Sequence, residues 1–208
     1  MTYLYWILVP VAGYLLGSLS FSIIISCLFL GRDIRKHGSG NAGATNMTRV
    51  FGWVAGVATL AFDVLKALAA MLIGRRLLGD AGVCLGGMAA MLGHCFPLFH
   101  HFKGGKGIAT GAAIGFMIDW RVGVSIVAAF LIGALISKKV SIGSIAAAIT
   151  IIPATWIFAP RPSMIALSVF ASVLAITRHH ENIKRLRAGT EPDFRAGKAG
   201  NKGKNVKQ

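Results

Sequence analysis

Charged residues are scarce in this sequence, and acidic residues are the scarcest. Charged residues make up 14% of the 208 residues, against about 25% in a typical soluble domain, and only 7 residues are aspartate or glutamate. Residues 3–30 contain no charged side chain at all, whereas a helix needs only about 20 apolar residues to cross a bilayer. This shortage argues against a soluble globular protein and predicts a chain that crosses a membrane several times.

Several signatures of familiar chemistry are also missing. The three cysteines, Cys27, Cys84 and Cys95, lie in apolar runs without metal-site spacing, and we expect them to be small packing residues. The chain lacks a G-x4-G-K-[ST] nucleotide loop, a G-x-S-x-G nucleophile elbow and an H-x4-D pair. Its few aspartates are scattered, which disfavours the metal-dependent chemistry of a CDP-alcohol phosphotransferase. We therefore predict no metal and no cofactor.

Apolar segments dominate the sequence instead, with 55% hydrophobic residues and a mean hydropathy of +0.67. Each is predicted to be helical, because lipid offers no partner for open backbone groups. The predicted fold class is therefore an all-α polytopic membrane protein with about seven transmembrane helices. The fourth segment would form only about 18 Å of helix. If it is half-spanning, the count falls to five or six. The seven segments are residues 3–30, 50–74, 81–99, 107–118, 122–137, 140–159 and 163–177.

Lysines and arginines are distributed unevenly among the connections. The first, third and fifth loops and the C-terminal tail hold 17 of the 22, and the even-numbered loops hold 4. Cytoplasmic loops carry such an excess, so the N-terminus is predicted outside and the C-terminus in the cytoplasm. Topology explains most of the net charge of +15, so no nucleic-acid partner is expected. Residues 1–195 are predicted to form one membrane-embedded domain, and residues 196–208 a disordered basic tail.

The same odd-numbered loops contain the residues suited to binding phosphate. Residues 38–49 combine glycines with Ser, Thr and Asn donors and an arginine, as an anion-binding nest requires. Residues 103–110 place a Gly/Lys turn directly before a helix, whose N-terminal N–H groups favour anions. The competing interpretations are a flexible polar linker for the first loop and a basic topological turn for the third. Because the odd-numbered loops lie on one side of the membrane, these polar residues converge there and predict a site for a phosphorylated substrate.

Two further pairs of polar residues are spaced to share a helix face. His179 and Asn182 lie three residues apart after the last apolar segment. Asp63 and Lys66 have the same spacing inside the second segment, where an ionisable group costs roughly 2.5–3.5 kcal/mol to insert. Asp63 and Lys66 are expected either to pair with each other or to support the site from behind.

These loops resemble the motifs of the bacterial acyl-phosphate:glycerol-3-phosphate acyltransferases, the PlsY family. Residues 38–49 resemble its first motif, residues 93–110 its second and residues 179–191 its third. Asp63-x-x-Lys66 and residues 140–144 fit as well, so the resemblance covers residues 13 to about 194. Ser20 stands where the family usually has proline, and this exchange is expected to straighten the first helix.

The resemblance implies a multi-pass enzyme of the bacterial inner membrane whose active site faces the cytoplasm. It would transfer a fatty acyl group from acyl phosphate to the 1-hydroxyl of glycerol 3-phosphate, giving lysophosphatidic acid and phosphate in the first step of phospholipid biosynthesis. An enzyme that produces acyl phosphate is the expected neighbour. The predicted catalytic residues are Ser39, Arg49, Lys106, His179, Asn182 and Glu191. The predicted substrate-binding residues are Gly40, Asn41, Thr45, Asn46, Lys103, Gly104, Gly105, Gly107, Thr110, Ser141 and Ser144.

An acyl phosphate is already activated, so direct attack without a covalent enzyme intermediate is expected, with positioning contributing most. Lys106 and Arg49 would hold the two phosphates and stabilise charge on the departing one. The hydroxyl proton would pass to His179 or to the substrate's own phosphate. The main rival is a transporter of a phosphorylated metabolite, against which the short outer loops argue. A non-catalytic membrane scaffold is a further alternative.

Overall fold

The computed structural model describes residues 2–193, and this part of the chain is helical and contains no strand. The all-α fold predicted from the sequence is therefore confirmed. The predicted basic tail, residues 196–208, lies outside the described residues. The helices are α1 (Thr2–Gly17), α2 (Phe21–Leu28), α3 (Ala44–Phe51), α4 (Trp53–Cys95), α5 (Ile108–Ile118), α6 (Trp120–Ser137), α7 (Val140–Phe158), α8 (Pro162–Arg178) and α9 (His180–Arg187), with short 3-10 turns at Ile34–Lys36 and Leu98–His100.

Length and composition identify candidate membrane crossings. In the described part of the chain, four stretches are long and apolar enough to cross, and a fifth counts if α8 and α9, bent by 55°, are taken together. The protein is thus an integral membrane protein with several spans. The four stretches are Tyr3–Leu28, Trp53–His100, Trp120–Ser137 and Val140–Phe158.

The long helix α4 consists of two antiparallel arms. Its backbone leaves the helical conformation at Leu78 and Gly79, where φ of Gly79 is +57°. Gly74 and Gly82 then pack backbone against backbone, because a side chain on either would overlap the other's carbonyl. Such contact between residues on both sides of the turn requires a reversal of chain direction. The apolar segments predicted at 50–74 and 81–99 are therefore separate helical arms, residues 53–77 and 80–95.

The helix of the first apolar segment is interrupted. Residues 18–20 separate α1 from α2, and Ser20 has extended backbone angles. The Lys66 ammonium reaches this break and donates to the carbonyl of Leu19 at 2.6 Å. A buried donor thus satisfies a backbone group that the interruption frees. Tyr3–Leu28 still forms one candidate span, so the straightening expected from Ser20 stays a prediction.

The main core lies between α4, α5 and α8, where large side chains are fully buried. Cys84 and Cys95 belong to this core, as predicted. Cys27 is exposed on α2, so the prediction that it packs inside is wrong. Its apolar neighbours in the sequence gave the wrong indication because the surface of a membrane protein is itself apolar. The largest fully buried core side chains include Met71, Met91, Ile114, Met164 and Leu167.

The connections gather at two ends of the helix bundle. At one end, Arg161 donates to Asp80 at 2.6 Å and to the carbonyl of Ile118 at 3.3 Å. Arg121 donates to the carbonyl of Phe158 at 3.2 Å. The second, fourth and sixth connections therefore meet here, and we call this the even end.

The odd-numbered connections meet at the opposite end, which we call the odd end. Arg35 of the first loop donates to the carbonyl of His100 in the third at 3.1 Å. Lys139 of the fifth loop donates to the carbonyl of Glu191, beyond α9, at 3.0 Å. Helix α5 starts at the odd end and finishes at the even end, although its 11 residues span only about 16 Å.

Candidate active site

Lys106 lies at the centre of the odd end, on the glycine turn that precedes α5. Its ammonium contacts the side-chain oxygen of Asn182. Burial, followed by the charges of Arg185, Arg178 and Arg49, lowers the pKa of Lys106 to about 8 against the opposing effect of Glu191. Three arginines and one lysine around a single carboxylate leave an excess of positive charge, which a phosphate would neutralise.

Glu191 closes this cluster from the C-terminal side. Its carboxylate accepts a hydrogen bond from the Asn182 amide at 2.6 Å and one from the Arg185 guanidinium at 2.7 Å. Burial raises the pKa of Glu191, but the hydrogen bonds from Asn182 and Arg185 outweigh burial and hold that pKa below its usual value. The charged carboxylate therefore fixes the orientation of the Asn182 amide, whose oxygen faces Lys106.

His179 lies between α8 and α9 and is buried beside the cluster. Its Nδ1 is 2.7 Å from the carbonyl of Ala175, an acceptor that requires a proton on that nitrogen. Burial lowers the pKa of His179 to about 4, and the Lys106 and Arg178 charges act in the same direction, against Ala175 and Glu191. The ring is thus neutral at physiological pH, and Nε2 is left as a proton acceptor.

Asn46 organises the first loop. Its buried side-chain amide accepts a hydrogen bond from the Ser39 backbone at 2.9 Å and donates to the carbonyls of His37 at 3.0 Å and Asn41 at 3.1 Å. These bonds hold the turn in which Gly40 has φ of +72°. Asn46 was predicted to bind substrate, and in this structure its amide holds the loop that presents Ser39.

Arg49 brings the first loop into the cluster. It lies in the last turn of α3, and its charge acts on Lys106 across the gap between the first and third loops. Thr45 lies in the first turn of the same short helix and is half-buried. Short α3 therefore carries both residues on one helix.

The glycine turn is packed so closely that it requires glycine. Side chains at Gly104 or Gly105 would overlap the His94 carbonyl or ring, respectively, and Gly107 has φ of +80°. The Gly105 N–H donates to the His94 carbonyl at 3.0 Å, and its own carbonyl accepts from Arg178 at 3.3 Å. The turn is therefore a rigid support for Lys106.

The remaining predicted residues differ in accessibility. Ser39, Gly40 and Lys103 are exposed, whereas Ser141, Ser144 and Thr110 are buried. The Thr110 hydroxyl has no hydrogen-bond partner among the described residues. The residues that the structure brings into one cluster are Arg49, Lys106, Ser141, His179, Asn182 and Glu191.

Three residues of the cluster were not among those predicted to act in the site. Arg178 donates to the glycine turn and lies with its guanidinium carbon 5.0 Å from the centre of the Phe96 ring. Arg185 pairs with Glu191, and His94 packs against Gly105. A signal was available for Arg185, because it lies three residues after Asn182 on one helix face. Arg178 directly precedes His179, and this adjacency alone could have suggested that Arg178 lies in the site.

The fold and the cluster define an integral membrane protein with a buried group of charged residues, mostly cations, at one end of its helix bundle. The model of a protein family described as glycerol-3-phosphate acyltransferase matches residues 7–189. The chain belongs to that family of membrane enzymes.

The sequence of this chain matches those of its relatives over almost their whole length. The chain is 39% identical to a glycerol-3-phosphate acyltransferase of Thermoanaerobacter sp. (strain X514), with 90% of this chain and 95% of the relative covered. It is 41% identical to one of Syntrophotalea carbinolica, with coverage of 89% and 95%.

Solved structures agree as well. A crystal structure of PlsY, an integral membrane glycerol 3-phosphate acyltransferase, in its glycerol 3-phosphate form superposes with a TM-score of 0.87 at 35% identity, covering 91% of this chain and 95% of that one. The lysophosphatidic acid form of PlsY gives a TM-score of 0.84 at 34% identity, with the same coverage.

Proposed function

We propose that this protein transfers a fatty acyl group from acyl phosphate to the sn-1 hydroxyl of glycerol 3-phosphate, giving lysophosphatidic acid and phosphate. The observation that carries the proposal is the half-buried Lys106 among three arginine charges, next to a neutral histidine. Two phosphate-bearing substrates need such an excess of cations, and attack by a hydroxyl needs a proton acceptor. Family membership supplies the acceptor substrate.

The proposed reaction is one direct displacement. The hydroxyl oxygen attacks the acyl carbonyl carbon, the bond from that carbon to the phosphate oxygen breaks, and phosphate leaves with the bonding electrons. The His179 Nε2 accepts the hydroxyl proton, or the departing phosphate takes it. Lys106 and Arg49 stabilise negative charge on the phosphates, and holding both substrates together contributes most of the acceleration. Because acyl phosphate is already activated, no covalent enzyme intermediate is needed.

We further propose seven membrane crossings by one domain, residues 1–195, with the N-terminus outside and the C-terminus and the odd end in the cytoplasm. The grouping of odd and even connections at two ends supports this count. The excess of lysine and arginine in the odd-numbered loops supports the orientation. The enzyme would lie in the bacterial inner membrane beside an enzyme that supplies acyl phosphate.

The even end favours this function over transport of a phosphorylated metabolite. A transporter opens a path to each side, and a second gate should resemble the first in its ability to bind the cargo. At the even end, Arg161 and Arg121 are instead paired with Asp80 and Asp119 and hold carbonyls of neighbouring helix ends. These arginines close the bundle rather than offer a charge to a substrate.

The test is a donor comparison with purified protein in lipid nanodiscs. Palmitoyl phosphate and glycerol 3-phosphate should yield lysophosphatidic acid and phosphate in equal amounts. Palmitoyl-CoA or palmitoyl-acyl carrier protein in place of palmitoyl phosphate should yield neither product above background. Absence of phosphate release with palmitoyl phosphate would refute the proposed donor.

A further inference from the structure

An ion pair is buried among the helices behind the glycine turn. Asp63 and Lys66, on the first arm of α4, lie 2.7 Å apart, and their side chains are 2% and 3% exposed. Lys66 also donates to the carbonyl of Leu19 at the break between α1 and α2. The pair therefore ties α4 to the interruption between α1 and α2.

The same carboxylate faces the second arm of α4. The Asp63 oxygen that pairs with Lys66 lies 3.6 Å from Nδ1 of His94, whose side chain is 5% exposed. That distance is too long for a hydrogen bond and suits an electrostatic contact. The Asp63 carboxylate thus lies against the Nδ1 edge of the His94 ring.

His94 in turn contacts the glycine turn twice. Its carbonyl accepts the Gly105 N–H at 3.0 Å, and its Nε2 edge occupies the space where a Gly105 side chain would be. Gly105 directly precedes Lys106. A continuous line of contacts therefore runs from the buried pair through His94 to the lysine at the centre of the site.

Stability is a poor reason for such a pair. Replacing a buried ion pair by apolar residues of similar volume is often neutral or stabilising, because two charges have lost their hydration. Ionisable residues inside membrane segments are instead retained where they serve function. The contacts of Asp63 point to the glycine turn as what it serves.

We propose that Asp63, Lys66 and His94 are positioning residues that hold the glycine turn, and with it Lys106, in the geometry that binds the phosphate of glycerol 3-phosphate. The inference rests on the proposed function for the identity of this ligand. A turn made of glycines has many accessible conformations, so a well-defined lysine position requires support from behind. The buried pair and the His94 ring supply that support.

The test compares two variants with the wild-type enzyme in nanodiscs. Asp63→Leu/Lys66→Met removes both charges together, and His94→Leu removes the ring nitrogens but keeps bulk. Each should raise KM for glycerol 3-phosphate at least about tenfold, because misplacing a binding group is costly, while kcat changes much less. The dissociation constant for glycerol 3-phosphate, measured by calorimetry without donor, should rise by the same factor.

A conservative variant and a matched ion pair serve as controls. His94→Asn places an amide N–H near the position of Nδ1 and should recover most of the affinity for glycerol 3-phosphate. Asp80→Asn/Arg161→Gln removes an ion pair at the even end and should leave KM unchanged.

The possible outcomes separate this inference from the proposed function. A lower melting temperature with unchanged KM and binding would overturn the positioning role and leave the enzyme's function intact. If the wild-type protein binds glycerol 3-phosphate but does not turn over palmitoyl phosphate, the proposed acyl donor is refuted. Calorimetry on the variants would then still decide whether Asp63 and Lys66 position the glycine turn. Absence of wild-type binding would refute both.

Discussion

Lys106 and His179 lie in the same buried cluster, yet they differ in charge at neutral pH. Burial removes water from both, which lowers the pKa of the lysine to about 8 and that of the histidine to about 4. At neutral pH the lysine is still charged and the histidine is not. One small region therefore holds a charged lysine beside a neutral histidine, as the proposed reaction requires.

The charge on Lys106 should limit the enzyme at alkaline pH. Since its pKa is lowered to about 8, the free enzyme loses this charge as pH rises through that value, and kcat/KM should fall there. Lys106→Arg should flatten this alkaline limb, because arginine stays charged. Lys106→Met should lower kcat/KM about 10²–10³-fold. The exposed Lys184, changed to Met, should leave kcat/KM unchanged, and an equal loss in both Met variants would contradict the assigned role.

His179 should contribute independently of pH near neutrality. If it accepts the hydroxyl proton, His179→Ala should lower kcat about 10²–10⁴-fold. Because its pKa is lowered to about 4, the ratio of wild-type to variant rates should be constant between pH 6 and 7.5. Near-normal turnover by His179→Ala would leave the proton to the departing phosphate instead.

At the scale of an element, the first loop depends on one side chain. Asn46 makes three hydrogen bonds of 2.9–3.1 Å to this loop. No helix or strand runs through residues 38–43 to hold them in place. The turn is therefore as stable as these contacts, and Ser39 is presented only while they persist.

Removing the Asn46 amide should loosen the loop locally. Asn46→Ala should lower the free energy of local opening by about 2–3 kcal/mol, roughly 1 kcal/mol for each lost hydrogen bond. Hydrogen exchange of residues 38–46 should speed up accordingly, with the helices unaffected. His37→Ala keeps the carbonyl that Asn46 uses and should exchange as the wild type does.

The turn of α4 is the second element whose geometry depends on particular residues. Gly82→Ala should lower the melting temperature in nanodiscs, because the added methyl group would overlap the carbonyl of Gly74. Gly111→Ala on α5 meets no atom within 4 Å and should raise stability by up to about 1 kcal/mol, since alanine loses less chain entropy. Equal melting temperatures would mean that the two arms do not pack as described.

At the scale of the whole molecule, the two ends have different tasks. The even end pairs Arg121 and Arg161 with aspartates, while the odd end keeps more cations than carboxylates around Lys106. The positive charge that sets orientation is therefore drawn partly from residues that would bind phosphate.

The proposed orientation can be tested with single cysteines and a membrane-impermeant maleimide. In a background with Cys27→Ser, the exposed positions Arg75→Cys and Arg121→Cys should be labelled on intact cells. Lys36→Cys and Lys184→Cys should react only after permeabilisation. Labelling in the opposite order would reverse the assigned orientation, and labelling of Lys36→Cys alone on intact cells would refute the seven-crossing count.

The helical class and several membrane spans could be predicted from the sequence, because lipid leaves the backbone of an apolar segment no other partner than itself. Local patterns also indicated the turn that carries Lys106 and the pair His179 and Asn182, whereas Glu191 was expected only from the resemblance to a known family. The break at residues 18–20 was not predicted, because the donor that satisfies it, Lys66, lies 47 positions away in the sequence.

The sequence by itself determined that the chain is a helical membrane protein with most of its positive charge on alternate loops, because hydropathy and charge act position by position. Only the tertiary structure decided that Arg178, Arg185 and His94 join the site. It also decided that Asn46 holds a loop and that burial leaves Lys106 charged beside a neutral His179. Those properties depend on distances and desolvation between distant segments, and no local pattern contains them.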